Sequence, residues 1–478
     1  MLDIYDIHYM SPRPDITYWC ALRCTNNGIQ AKLITKIDKI MFYYINCNST
    51  IMFVLCYDIL EYLFNSFDVV SQIRFRQIVF NIYADLQITD FFNIDVTIRK
   101  KLTDRILQIY PYIRRLDAMN NRKITTVNKF ADLRELDASR WCGIDQAGIS
   151  ELRHLTKLSV VANARIYDVN HLTDLIQLDI SYKYPRTLEI ELSCEDDNDN
   201  NSENDSEYDM ENHECDGINC RSKRSNCNLT GVGQSGICDL RNLLALYAEG
   251  NTKVTDVNHL IKLRELNISA RCTVGQSGIS ELRNIIILDV GANSHVTSVN
   301  HLKYLRALNI LECGVDQTGI SEITDLVILC TCYNENITDV NHFTDLRELN
   351  IECSVIGQNG ICRLHKLIML DAAYSSITSV NHLPELTVLV AYKSLIDQVG
   401  ISELRNIQQL YACDNSKITN VNHLTCLREL SITGSCGVDQ EGITALRKLN
   451  ILNSDDNEKI IDNTLPNELT DIPIAFMP

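Results

Sequence analysis

Leu263-Arg-Glu-Leu266-Asn-Ile268 returns almost letter for letter as Leu346-Arg-Glu-Leu349-Asn-Ile351 and Leu427-Arg-Glu-Leu430-Ser-Ile432. Its last three residues alternate apolar, polar, apolar, which is the period-two signature of a strand with one buried face. Working outward, each copy follows Val-Asn-His-Leu or a close variant, which begins at Val127, Val169, Val257, Val299, Val340, Val380 and Val421. Neighbouring copies lie 40 to 42 residues apart, with a single gap of 88. A second motif, Gly-Ile followed three residues on by an apolar residue, begins at Gly148, Gly236, Gly278, Gly319, Gly360, Gly400 and Gly442, midway between copies of the first. The unit is therefore about 21 residues long, in two alternating flavours. About fifteen strands are expected between Ile113 and Ile451.

No single unit of this kind can bury its own leucines, so coils must stack and share one core. Asparagine recurs after the strands of one flavour, at Asn121, Asn163, Asn251, Asn293, Asn334 and Asn415, where a buried corner needs a polar group to satisfy turning backbone. The other flavour has cysteine at or near that corner, at Cys142, Cys272, Cys313, Cys353 and Cys436. The three-residue spacing of Ile337, Val340 and Phe343 suits a short helical turn on the convex side. This pattern of Leu-x-x-Leu-x-Leu with a corner Asn or Cys closely resembles the leucine-rich-repeat family and covers roughly three-quarters of the chain. The resemblance implies an α/β repeat solenoid, with a parallel β-strip on its concave face and short irregular segments on its convex face. Fifteen strands would give a strip roughly 70 Å long.

Several tempting motifs dissolve into the repeat. Gly231-Val-Gly233-Gln-Ser-Gly236 matches a dinucleotide fingerprint, but the equivalent copies read Thr273-Val-Gly275-Gln-Ser-Gly278 and Gly437-Val-Asp439-Gln-Glu-Gly442, and no βαβ unit surrounds them. The histidines of the first motif, His171, His259, His301, His342, His382 and His423, recur two coils apart, about 10 Å. That is too far to share a zinc ion held about 2.1 Å from each ligand, so they read as surface-facing turn residues. The corner cysteines are too far apart for disulfides by the same argument and read as small buried hydrophobes. No metal, cofactor or catalytic constellation is expected, and the chain reads as a binding protein and not as an enzyme.

The pattern lapses between Ile180 and Gly236. Residues Glu195 to Glu214 contain ten acidic side chains and hardly any apolar ones, the composition of a disordered loop. Residues 185–231 are assigned to this acidic insertion, which either replaced a degenerate pair of repeats or grew within one. Its neighbours His213, Cys215, Cys220 and Cys227 match no common zinc spacing. Repeats are assigned to 101–184 and 232–455, and a C-terminal cap and tail to 456–478.

The region before residue 100 differs in composition: it has one glycine, Gly28, and eight of the eleven phenylalanines. Residues 1–50 carry no role that the sequence reveals. Across 51–100 the residues predict packed helices, one over Leu55–Phe64, one starting near Asp68 and one from Phe80 to Leu86. Leu55, Ile59, Leu60, Leu63 and Phe64, then Phe75, Arg76 and Gln77, resemble the F-box pattern. Cys56 replaces the family's proline, Ile78-Val79 stands for its Val-Cys, and no tryptophan follows. The alternative is a helical cap over the first coil. Together with the repeats, the match resembles F-box/leucine-rich-repeat proteins, the substrate adaptors of Skp–cullin–F-box ubiquitin ligases. It implies that Leu55, Ile59, Leu60, Leu63 and Phe64 dock on a Skp subunit. The repeat wording also resembles the leucine-rich-repeat proteins of giant DNA viruses such as Mimivirus, which would place the protein in a host cell.

A net charge of −18 disfavours nucleic acid as a partner. The N-terminus has no signal-peptide pattern, and the most apolar stretch, 41–64, is broken by polar residues, so no membrane association is expected and the reading is a cytoplasmic protein with reduced thiols. The expected function is protein binding on the concave face, as a ligase adaptor or as a stand-alone scaffold. The outward strand positions Tyr247, Glu265, Asn267, Asp289, Glu348, Asn350, Asp371, Tyr392, Tyr411 and Glu429 are the candidate contacts, with tyrosines as anchors and carboxylates selecting a basic patch.

Overall fold

A computed structural model describes residues 68, 71–73, 87–92, 94–182 and 231–461. The chain divides into two units, 1–86 and 87–478. In the first, Asp68 accepts from the Ser71 N–H at 3.0 Å and the Ser71 hydroxyl at 2.8 Å, and residues 71–73 are helical. That is an N-cap at the place where the sequence predicted a helix to begin. The candidate Skp-binding residues 55–64 lie outside the described residues.

Among its described residues the second unit carries one parallel sheet of sixteen strands, each hydrogen-bonded to its neighbours in sequence order. They are β1 (Asp90–Phe91), β2 (Arg115–Asp117), β3 (Glu135–Asp137), β4 (Lys157–Ser159), β5 (Gln177–Asp179), β6 (Ala245–Tyr247), β7 (Glu265–Asn267) and β8 (Ile287–Asp289). Then follow β9 (Ala307–Asn309), β10 (Ile328–Cys330), β11 (Glu348–Asn350), β12 (Met369–Asp371), β13 (Val388–Val390), β14 (Gln409–Tyr411), β15 (Glu429–Ser431) and β16 (Ile451–Asn453). The fifteen strands expected from the repeat are β2 to β16. The sixteenth, β1, lies within the stretch read from sequence as helical to residue 100. Its residues lack the repeat wording, yet Phe91 pairs with Leu116 and is fully buried. Two short helices follow it, α1 (Val96–Arg99), capped by Asp95, and α2 (Asp104–Leu107), capped by Thr103. Arg99 is buried in an ion pair with Asp117.

The middle residue of every strand from β2 to β16 is leucine, and the pairing register aligns all of them into one ladder. From Leu116 to Leu430 these leucines are buried. Full burial stabilises each by about 1.5–3 kcal/mol, and each does so only because neighbouring coils cover it.

The polar letters of the two motifs stitch coil to coil. In the first motif the Asn300 amide donates to the Thr318 carbonyl at 2.8 Å and accepts from the Glu322 N–H at 2.9 Å, both in the next coil. In the second, Gln276 donates to the Ser298 carbonyl and accepts from the N–H groups of Thr297 and Ser298. The corner asparagines also behave alike. Asn293 donates to the carbonyls of Ile268 at 2.8 Å and Val274 at 3.0 Å, and accepts from the His295 N–H. Asn457 repeats this beyond the copies found by sequence, whereas Ser375 takes the place in the β12 coil.

One local expectation is corrected. Ile337–Phe343 forms no helix, only single turns such as the Phe343 N–H to the Val340 carbonyl at 3.1 Å. The short helical turns fall on the glycine motif, as α3 (Gln146–Ile149), α4 (Gln276–Ile279) and 3-10 turns such as Thr318–Ile320. Glycine is required there, because a Cβ on Gly278 would collide with the Thr255 carbonyl oxygen of the preceding coil. Cys353 lies beside its corner: Ser354 holds it, accepting from the Ile356 N–H at 3.3 Å, and Cys353 stands on the left-handed residue of the turn.

The insertion leaves the stack in phase. β5 pairs directly with β6, and the Val169 N–H reaches the Gly236 carbonyl at 2.9 Å, as Val257 reaches Gly278. The two motifs are 67 residues apart here against 21 in the next pair, so 46 residues have been added within one coil, between Tyr182 and Gly231. No pair of repeats is missing. The acidic run itself lies outside the described residues.

Candidate interaction surface

With the leucines of β2 to β15 buried, the residues on either side of them lie on the open face, where only Asp117 and Ser431 are buried. From β6 to β16 these flanking positions hold no lysine, arginine or histidine. Carboxylates occupy five of them: Glu265, Asp289, Glu348, Asp371 and Glu429. Nearer the N-terminus the charges compensate each other, with Arg115 bridging Asp90 at 2.8 Å and Glu135 at 2.7 Å.

Nine of the ten expected surface residues stand on this open face. Their side chains are less free than the sequence suggests. The Oδ1 atoms of Asn267, Asp289, Asn350 and Asp371 each accept the N–H two residues on, at 2.9 to 3.0 Å, and so hold the chain as it leaves the strand. One oxygen of each is thus committed to the turn. Burial pushes the carboxyls of Asp289 and Asp371 above the usual range. The Tyr411 hydroxyl donates to Glu429 at 2.9 Å, and Gln409 donates to its other oxygen at 2.8 Å. Tyr247 likewise leans on Glu265, and burial with that contact pushes its hydroxyl up to about 12. Glu348 is exposed and has no side-chain partner among the described residues.

Tyr392 is not on a strand. It lies two residues past β13, edge-on to Tyr374 with ring centroids 5.0 Å apart, and Lys393 stands 5.1 Å over its ring and 3.6 Å from Asp414. This aromatic and charged cluster sits on the rim where the strands exit.

Spacing along the chain does not reveal the apolar residues on the open face. Ile287, Ile328 and Met369 are between 37% and 43% exposed, each beside a further aliphatic residue: Ile286, Val327 and Ile368. In sequence they look like extra core positions in an apolar run. Only stacking reveals that each pair sits between two buried residues and leaves its second member exposed, with Ile286 and Val327 half-buried and Ile368 exposed.

The recurrent histidines are not surface-facing, as expected, but half-buried. Each Nε2 lies 2.9 to 3.3 Å from the carbonyl of an isoleucine in the preceding coil, as in His301 to Ile279 and His382 to Ile361. A carbonyl only accepts, so Nε2 carries the proton. Burial lowers His301 and His382 below their ordinary value. The corner cysteines are buried free thiols, and burial pushes Cys142 up to about 12 and Cys272 and Cys313 up to about 11. Among the described residues no group of three or more His, Cys, Asp or Glu side chains could hold a metal ion. No helix among them is long and apolar enough to cross a membrane.

Solved structures with this arrangement include a leucine-rich-repeat protein of Leptospira interrogans, at 19% identity and a TM-score of 0.50, covering 77% of this chain and 90% of that one. The fold is a leucine-rich-repeat solenoid. The functional domain of InlJ from Listeria monocytogenes is also similar, at 15% identity and a TM-score of 0.42 over 70% of each chain. No family model and no curated protein matches the sequence.

Proposed function

We propose that the solenoid is a binding module for another protein, held on the open face of the sheet between β8 and β13. The observation that carries this reading is the exposed aliphatic side chain that recurs on that face at Ile287, Ile328 and Met369, each beside a second aliphatic residue. Burying these side chains returns the hydrophobic free energy that drives most protein association, and Asp289, Asn350 and Asp371 beside them are already tied into turns. The reading is one of binding without catalysis. A photo-crosslinking residue placed at 328 or 369 should capture a discrete protein in extracts of the source cell. The same residue at Ile261, 61% exposed before β7, should not. Equal capture at all three positions sinks the proposal.

The ubiquitin-ligase adaptor role is a narrower proposal that rests on the sequence resemblance at Leu55, Ile59, Leu60, Leu63 and Phe64, and a host-cell cytoplasmic setting is another that rests on the likeness of the repeat wording to giant-virus proteins. Binding to purified Skp that disappears in the Leu60→Asp, Leu63→Asp double variant would support the adaptor role. No binding, or binding unchanged by the variant, leaves a stand-alone scaffold.

A further inference from the structure

The open face has a longer period than the strands. Strands β8, β10 and β12 each open on an exposed aliphatic residue, Ile287, Ile328 and Met369, preceded by a further aliphatic residue, the half-buried Ile286 and Val327 and the exposed Ile368. The intervening strands carry Arg306-Ala307 and Arg347-Glu348 at the same places. Like rows are therefore two strand spacings apart, roughly 9.6 Å. The two arginines are already engaged, Arg306 with Asp325 at 3.5 Å and Arg347 with Glu385 at 2.6 Å. Arg264, Arg347 and Arg428 stand just before Glu265, Glu348 and Glu429, but the two positions that flank each strand leucine from β6 to β16 hold no cation, and none precedes Asp289 or Asp371.

We infer that this face takes a basic amphipathic α-helix laid across the strands, along the stacking axis. The inference deepens the protein-binding proposal and rests on it. Side chains seven residues apart in a helix recur every 10.5 Å or so, close to the spacing of the rows. A helix also presents an apolar stripe more than one residue wide, which suits rows two residues wide. An extended strand laid the same way repeats on one face at about 6.6 Å and again at about 13 Å, and matches neither interval. A polyproline helix repeats at about 9.3 Å, close enough in length, but offers a single line of side chains on each face. Lysines flanking the helical stripe would meet Asp289, Glu348 and Asp371. Asp289 and Asp371 gain most from a cation, since burial already disfavours their charge.

The test uses the full-length protein and labelled synthetic peptides, read by fluorescence anisotropy at about 0.15 M salt. The first peptide is a lysine-rich helix with a leucine stripe of heptad period. The second has the same composition, shuffled to erase the stripe. The third keeps the stripe but replaces lysine by glutamate, and the fourth is a proline-rich peptide with leucine at every third place. The heptad peptide should bind at least about tenfold more tightly than the other three. Ile328→Glu and Met369→Glu should each weaken it by a similar factor, and Ile261→Glu should leave it unchanged. Failure of the heptad peptide to bind, equal binding of the shuffled or proline-rich peptide, or indifference to both glutamate variants overturns the inference. Crosslinks from 328 and 369 beside a failed heptad peptide would refute the helix alone. Crosslinks that avoid both sites would refute the surface as well.

Discussion

Asn293 illustrates how much one side chain carries in this fold. It satisfies two carbonyls and one N–H at a corner that is closed to water. Asn293→Ala orphans the Ile268 and Val274 carbonyls, at about 1–3 kcal/mol for each. A loss of about 2–4 kcal/mol is expected, seen as faster amide exchange confined to the coils of β7, β8 and β9. A loss below about 0.5 kcal/mol would show that the corner is not dry. The histidines add a pH dependence. His301 and His382 titrate lower when folded than their ordinary 6.5, so the folded state binds fewer protons. Their contribution is complete above that value and is lost as pH falls through it towards the lowered folded value. Asp289 and Asp371, raised by burial, work in the opposite sense. Urea titrations at about pH 7.5 and about pH 5.5 should therefore show a smaller acid loss in the His301→Gln, His382→Gln double variant than in the parent. An identical loss in both would assign the dependence elsewhere.

At the scale of one coil, the sequence was informative wherever a residue's role is local. The strand triplets, the corner asparagines and the alternation of two flavours all follow from spacing along the chain. What spacing cannot show is which apolar residues remain outside after stacking. Ile328 and Leu329 are adjacent aliphatic letters, yet one is exposed and the other buried because neighbouring strands cover only one face. Nor does composition show that Asn350 and Asp371 spend an oxygen on their own turns, or that Tyr392 falls past its strand. β1 escaped notice because it has the place of a repeat strand without the repeat wording. The helical turn makes its own prediction. Gly278→Ala sets a methyl group against the Thr255 carbonyl, which is backbone and cannot swing aside. It should cost about 2 kcal/mol or more, read as a lower urea midpoint. Ser277→Ala, on the exposed side of the same turn, should stay within about 0.5 kcal/mol of the parent.

Across the whole solenoid, stability is a sum over coils and the contacts between neighbours. The insertion enters after Tyr182 and returns at Gly231 with the pairing of β5 and β6 undisturbed. In the β3 coil only Trp141 and Cys142 separate the equivalent residues. Replacing 183–230 by two glycines should therefore preserve the far-ultraviolet spectrum and leave the melting temperature within about 4 °C. Loss of the folded signal would mean that the inserted residues form part of the stack.

The reciprocal stitches also constrain how such a molecule can change in length. The asparagine of one flavour reaches forward only to the carbonyl and N–H that the other flavour presents, and the glutamine reaches forward in return. Removing one coil would set like against like and strand both donors, whereas removing two restores every stitch. Growth and loss by unequal recombination should then proceed in duplicated blocks of about 41 residues. The reach of the binding strip is thus quantised, one step of roughly 9.6 Å at a time.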